Sequence, residues 1–250
     1  MPWDAEKYTT DFSFVAQYGS GVLELLEPDR QGTVLDLGCG TGALSGALQD
    51  RGYTVIGMDA SAEMLDIAKK DHPNIPFILG DATDFHLQQP VDAVFSNAVL
   101  HWIHKDKQMD MMRCVHNALK KDGRFVFELG GYGNNRLIHR ELAAVFSEHN
   151  YPYTMPFYFP TIGEYAALLE STGFQVTYAV LFDRPTQLNG ENGLKDWIEM
   201  FVKAPFAVVK DSKEKEQIAA EAADRLRKDL YQDGKWYADY VRLRMKAVRL

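Results

Sequence analysis

Cysteine is scarce. The 250-residue chain has two, Cys39 and Cys114, and neither belongs to a CxxC pair. That spacing excludes a disulfide framework and a cysteine zinc site, and no metal is expected. Basic residues are in deficit: 27 Lys and Arg stand against 35 Asp and Glu, a formal charge of −8. Nucleic acid is therefore not expected as the main partner, because phosphate binding wants a basic face. Long apolar runs are missing. The longest uncharged stretch, Asn150 to Gly163, holds three prolines and several tyrosines, so it is no membrane helix. A secretory leader is not expected either: Met1 to Glu6 carries acids where such a leader needs bases and then an apolar run. A cytoplasmic chain without a membrane partner is the expectation. There is no internal repeat, no low-complexity linker and no oligomeric signal.

What is present reads as globular. Hydrophobic residues make up 46% and aromatics 12%, which excludes a disordered or fibrous chain. A length near 250 residues is where single cores stop growing, so one domain plus an insertion is expected. From Thr33 to about Phe127 short apolar runs alternate with segments of helical period. The runs Thr33–Leu37, Thr54–Met58, Phe77–Leu79, Ala93–Ser96 and Arg124–Glu128 are predicted strands. Ala43–Arg51, Ala62–Lys70 and Lys107–Lys120 are predicted helices. That alternation gives an α/β fold, an open doubly wound sheet of parallel strands buried on both faces.

The flanks differ. Phe12, Val15, Tyr18, Val22, Leu25 and Leu26 recur at helical spacing before the first strand. After Gly130 the repeat breaks at a turn-rich stretch, Gly130 to Asn135. Helices are expected at about Leu137–His149 and Ile162–Ser171, a strand at about Gln175–Phe182, and mostly helix over Leu194–Leu230. The charge-rich piece Asp211–Leu230 reads as a solvated helix face. At the end Val241, Leu243, Met245 and Ala247 alternate with Arg242, Arg244 and Lys246. That pattern predicts a last strand with one wet face, or a basic stripe for an anionic substrate.

The strongest local signal is Val34-Leu35-Asp36-Leu37-Gly38-Cys39-Gly40-Thr41-Gly42-Ala43. An apolar strand ends in three glycines and a helix starts at once. Glycine lets the backbone turn tightly and approach a ligand closely. Ligands of such sheets lie beyond the carboxyl ends of the strands. Gly38, Gly40 and Ala43 also satisfy the dinucleotide fingerprint, so the turn alone leaves the cofactor open. Asp59, Asp81 and Asn97 end the next three strands, and with Asp36 they put four polar groups at one sheet edge. Each taken singly is a common cap or turn residue.

These stretches resemble the class I S-adenosylmethionine-dependent methyltransferases. VLDLGCGTG is similar to that family's first motif, GMDAS to its second, GDATDF to its third and DAVFSNAVLHWI to its fourth, in order and spacing across about Thr33–Glu128. Trp3 to Tyr8 and the pair His101-Trp102 resemble the trans-aconitate methyltransferase-like branch. The second half lacks an Arg-rich constellation for a tricarboxylate. The resemblance implies a Rossmann-like, seven-stranded, mostly parallel sheet with an antiparallel last strand, plus helical insertions forming a lid. It implies this partition: residues 1–32 as an N-terminal helical lid, 33–130 as the cofactor-binding core, 131–172 and 189–234 as acceptor-side insertions, and 173–188 with 235–250 as the last strands.

Residue roles follow from the same resemblance. The cofactor would be S-adenosylmethionine, leaving as S-adenosylhomocysteine. Asp36, Gly38, Gly40 and Gly42 would line its methionine part. Asp59 would take the ribose, with Ala60 and Met64 near the adenine. Asp81 and the Ala82 amide would hold the adenine edge. Asn97 and Ala98 would sit near the amine and sulfonium, and Tyr8, Gln17 and Tyr18 would fold over the ligand.

Methyl transfer is an in-line displacement with a neutral leaving group, so it needs alignment and a dry site more than an acid. A base matters only where the acceptor carries a proton. His101 is the leading candidate near the methyl group, and Glu128 at the end of the fifth strand is the second. Trp102, Tyr132, Arg136 and Tyr158 are the candidates for binding a small-molecule acceptor, with a carboxylate suited to Arg136. His104 completes an HxxH pair with His101, but two ligands do not make a metal site. Two other readings remain: a nicotinamide-dependent oxidoreductase, disfavoured by Asp36 beside the pyrophosphate position, and a non-catalytic S-adenosylmethionine-binding module. A nucleic-acid methyltransferase is disfavoured by the charge.

Overall fold

The computed structural model describes residues 21–27 and 32–250. The expectations for Tyr8, Gln17, Tyr18 and the stretch Trp3–Tyr8 lie outside the described residues. The order is β1 (Thr33–Leu37), α1 (Ala43–Asp50), β2 (Thr54–Asp59), α2 (Ala62–Asp71), β3 (Phe77–Leu79), β4 (Val91–Asn97), α3 (Gln108–Ala118), β5 (Leu119–Gly130), α4 (Arg136–Glu148), α5 (Ile162–Ser171), β6 (Phe174–Leu188), α6 (Gly193–Phe201), α7 (Ser212–Arg225), α8 (Arg227–Leu230), β7 (Tyr231–Gln232) and β8 (Lys235–Arg249).

The sheet order is β3-β2-β1-β4-β5-β8-β6. The pairs β3·β2, β2·β1, β1·β4 and β4·β5 are parallel, and the C-terminal strands are antiparallel. That path has the seven strands expected. An eighth, the two-residue β7, pairs antiparallel with β8 off the path. Parallel pairing puts the carboxyl ends of β1, β2, β4 and β5 at one edge.

The chain divides into two compact units. Of the described residues, the first holds 21–27, 32–129, Pro160–Leu181 and Leu243–Leu250. Its strands are apolar on both faces: Val34, Leu35, Val94 and Phe95 are fully buried. Val22, Leu23 and Leu26 pack with Val34, Leu48, Val55 and Phe95 in one cluster. Burial of one such side chain is worth about 1.5–3 kcal/mol. Two helices here are stopped by side chains. The Ser61 hydroxyl accepts the Met64 amide at the start of α2, and Thr161 with Glu164 forms a capping box at the start of α5.

The second unit is Gly130–Phe159 with Phe182–Arg242. Trp197, 2% exposed, donates from Nε1 to the Tyr240 hydroxyl at 2.7 Å. Phe146 meets Phe206 edge-on at 4.9 Å. So these aromatics pack the unit's own core. The face of α7 that carries Ile218, Ala219, Ala222 and Ala223 is buried. Its charged residues are partly spent on α4, where Arg225 meets Glu141 and Glu148.

Two boundaries and one face depart from the sequence reading. The helix predicted to Lys120 stops at Ala118, because Leu119 pairs with Val91 and enters the sheet. The pairing then shifts register to Ala93 opposite Arg124, across a stretch where Asp122 has φ +62°. The strand predicted to end at Phe182 runs on to Leu188. The expected wet face of the last strand is largely covered. Arg242 is 7% exposed with its guanidinium 4.1 Å from the Tyr240 ring centre, Arg244 pairs with Glu128, and Lys246 pairs with Glu27. The reason is what lies against that face: β5 beside it carries Glu128, and the segment 21–27 brings the Gly21 carbonyl and Glu27. Its cations therefore meet protein partners, which argues against a free basic stripe.

Candidate active site

The glycine turn is built by backbone conformation. Gly38, Gly40 and Gly42 have φ of +77°, +54° and +82°, the left-handed region that costs other residues. The Gly38 and Cys39 amides both donate to the Met58 carbonyl, at 2.7 and 3.0 Å. The two outer glycines are also hemmed in. A Cβ on Gly38 would lie 2.3 Å from Val99, and one on Gly42 would lie 3.0 Å from Phe77. At Gly40 a Cβ would meet nothing within 4 Å. So Gly38 admits the turn after β4, Gly42 admits the sheet's neighbouring ring, and Gly40 faces open space.

Asp59, at the end of β2, holds this turn. Its Oδ2 accepts the Gly40 amide at 2.8 Å and its Oδ1 accepts the Ser61 amide at 2.8 Å. One bond on each oxygen leaves each a further lone pair. Asp36, at 2% exposure, accepts the Ser45 hydroxyl at 2.6 Å. Burial pushes its carboxyl up to about 7, the Ser45 bond works against that, and the nearby Asp59 charge adds to it. A cationic ligand group beside Asp36 would favour its charged form.

The other predicted positions divide. Asp81 stands two residues past β3 and is exposed. Its Oδ1 accepts both the amide and the hydroxyl of Thr83 at 2.8 and 2.9 Å, an Asx-turn. Ala82 is half-buried beside it, and Ala60 is exposed at the β2 end. Met64, 4% exposed, is buried in the first turn of α2. Asn97 ends β4. Ala98 follows at φ +60°, an uncommon conformation for alanine, and its amide donates to the Glu128 carbonyl at 2.8 Å.

His101 and Trp102 lie on the 3₁₀ turn Leu100–Trp102, with ring centres 5.8 Å apart. His101 is 7% exposed and Trp102 is 37% exposed. Glu128 is buried, and its Oε2 accepts Nε and Nη2 of Arg244 at 2.8 and 2.7 Å. Arg244 in turn donates to the Gly21 carbonyl at 3.0 Å. Glu128 is thus a carboxylate bound into the fold by Arg244. Tyr132, Arg136 and Tyr158 belong to the second unit, where Tyr132 and Arg136 are exposed and Tyr158 is half-buried.

The first unit therefore brings together Asp36, the three glycines, Asp59, Asn97, Ala98, His101, Trp102 and Glu128 at one sheet edge. The sequence reading missed Ser45, Val99 and Gln108, which act on these groups, and it set Arg244 in a basic stripe and not beside Glu128. Ser45 had a weak signal, a hydroxyl in the first turn after the glycines. The others had none. Among the described residues no group of three or more His, Cys, Asp or Glu stands close enough to hold a metal ion. No helix among them is long and apolar enough to cross a membrane.

The donor set fits an adenosyl sulfonium ligand. Asp59 offers paired oxygens for a diol, the backbone at Gly40 is open, and Asp36 is a buried acid beside the turn.

Comparison with known proteins agrees. A methyltransferase domain model matches residues 34–123. An uncharacterized methyltransferase of Schizosaccharomyces pombe is 30% identical over 258 aligned residues, covering 98% of this chain and 97% of that protein. A trans-aconitate 2-methyltransferase of Azoarcus is 34% identical over 106 residues, 41% of this chain and 42% of that protein. Among solved structures, a methyltransferase from Bacillus halodurans superposes with a TM-score of 0.66 at 17% identity, covering 92% of this chain and 97% of that one. Magnesium protoporphyrin IX methyltransferase from Synechocystis, solved with bound S-adenosylhomocysteine, gives 0.58 at 16% identity, covering 94% and 83%. With its cofactor S-adenosylmethionine, this chain belongs to the class I S-adenosylmethionine-dependent methyltransferases.

Proposed function

We propose that this methyltransferase acts on a small-molecule acceptor that meets the turn Asn97–Trp102, with His101 the side chain closest to the transfer. The observation that supports this is the approach of Val99 to Gly38. A Cβ on Gly38 would be 2.3 Å from the Val99 side chain. The turn that carries His101 thus lies directly on the glycine turn.

S-adenosylmethionine supplies a methyl group on a cationic sulfur. The chain's own residues bind, orient and dry the reacting groups. Asp59 takes the ribose diol with its remaining lone pairs. Asp36 offers negative charge close to the glycine turn. Ala98 is held in a left-handed conformation by the Glu128 carbonyl, which fixes where Asn97 and His101 stand. Trp102, partly exposed, is suited to wall the acceptor. His101 holds or accepts a proton only for an acceptor such as an amine, phenol or carbon acid; a carboxylate needs no base.

The test is an acceptor screen with radiolabelled S-adenosylmethionine over small carboxylates, amines and phenols, with duplex DNA and RNA as comparators. Methyl transfer to a small molecule is expected. On that acceptor His101→Ala should lower turnover by about 10²–10⁴-fold if it acts as a base, with S-adenosylhomocysteine affinity unchanged. Transfer to nucleic acid alone would overturn the reading of the acceptor. On an acceptor that carries a proton, normal turnover in His101→Ala would overturn the reading of His101.

A further inference from the structure

We infer that Gln108 is the positioning residue of the His101 turn, and that Tyr165 anchors the Gln108 amide oxygen. Gln108 opens α3 and is fully buried. Its Nε2 donates to the Leu100 carbonyl at 2.9 Å and to the Ile103 carbonyl at 2.8 Å. Its Oε1 accepts the hydroxyl of Tyr165, itself fully buried on α5, at 2.9 Å. Both amide hydrogens and the amide oxygen are thus used. The two carbonyls flank His101 and Trp102, so one side chain bridges the turn across the residues that matter.

The backbone holds this turn weakly. Within it Trp102 donates to the Val99 carbonyl at 2.9 Å, and Ile103 donates to Leu100 at a long 3.3 Å. The turn starts from the left-handed Ala98. Gln108 gives the Leu100 carbonyl a second bond, shorter than that long one, and it gives the Ile103 carbonyl a donor as well. The amide cannot flip, because that would set Oε1 against the two carbonyl oxygens of Leu100 and Ile103. The bridge also costs no charge, so it is insensitive to pH.

This inference rests on the proposed role of the turn, and its readouts do not need the acceptor. They are the His101 imidazole titration by NMR, hydrogen exchange of the turn amides, and calorimetry with S-adenosylhomocysteine. In Gln108→Leu the His101 midpoint should move, and the Trp102 and Ile103 amides should exchange about tenfold faster or more. Exchange in β1 and β4 should not change, nor the S-adenosylhomocysteine affinity beyond about twofold. Tyr165→Phe keeps both donors, so the same changes should appear and be smaller.

A folded Gln108→Leu with an unmoved His101 midpoint and wild-type exchange in the turn would overturn the inference. So would faster exchange throughout β1 and β4, which would make Gln108 a general core residue. If Gln108→Leu does not fold, Tyr165→Phe carries the test, and the turn must loosen ahead of the strands. His101→Ala in the acceptor assay reports separately on the proposed function, so either reading can fail while the other stands.

Discussion

Asp59 Oδ2 accepts the amide of Gly40 at 2.8 Å, and so the end of the second strand clamps the glycine turn at the end of the first. The same carboxylate is the group assigned to the ribose. Asp59→Ala should therefore do two things at once. It should weaken S-adenosylmethionine binding by about 1.5–3 kcal/mol, the scale of a charged hydrogen bond. It should also loosen the Gly40 amide to hydrogen exchange. Calorimetry showing unchanged affinity would rule out the ribose assignment, even if exchange rises.

Gly38 and Gly40 should respond differently to alanine. Both cost about 1–2 kcal/mol for a left-handed conformation. Gly38→Ala adds a clash with Val99, where the gap would be 2.3 Å, so its melting temperature should fall much further. Gly40→Ala meets nothing within 4 Å. It should stay folded and lose cofactor affinity, because its new methyl group enters the ligand's space. Equal melting temperatures for the two variants would contradict the geometry.

Asp36 gives a pH signature. Its carboxyl lies at about 7 in the fold against 3.8 for an ordinary Asp. Between those values the folded chain holds a proton that the unfolded chain has released. Stability from this group is therefore greatest below about pH 4 and falls as pH rises towards 7, by up to about 4 kcal/mol. Asp36→Asn removes that dependence. Urea unfolding of wild type and variant should diverge between about pH 5 and pH 8, with the variant the more stable at the higher pH. A constant difference across that range would contradict the assignment. Binding of a cationic cofactor beside Asp36 should release a proton near neutral pH, which calorimetry in buffers of different ionisation enthalpy detects.

Glu128 and Arg244 should behave as a coupled pair. Removing either partner by alanine leaves a largely buried charge and should cost about 3 kcal/mol. The double variant should cost clearly less than the sum, because the second change relieves the first. Additive costs in urea unfolding would show that the two do not interact in solution.

The sheet and its glycine turn were legible because each depends on local pattern. Strands buried on both faces read as apolar runs, and VLDL and AVFS are such runs. Three glycines between a strand and a helix have few other uses. Asp59 was legible as the end of such a run. What was hidden are contacts between distant residues. Arg244 and Glu128 stand 116 residues apart, and nothing near either one announces the other. Arg244 instead looked like part of a wet basic stripe, since alternation does not reveal which distant segment covers a strand's face. Gln108 and Tyr165 stand 57 apart, and a buried Gln on a helix is indistinguishable from a solvated one by periodicity. β6 extends through Asp183, Arg184 and Pro185, residues that interrupt an apolar strand pattern.

The most direct test of the cofactor site is a thermal-shift titration of the purified chain with S-adenosylmethionine, S-adenosylhomocysteine, NADH and NADPH. A ligand at 100 times its dissociation constant adds about 2.7 kcal/mol to the folded state, a clear rise in melting temperature. The two adenosyl ligands should produce that rise and the two dinucleotides should not, and Asp59→Ala should reduce it. A rise with a dinucleotide alone would contradict the account, and would make Gly38, Gly40 and Ala43 a pyrophosphate turn.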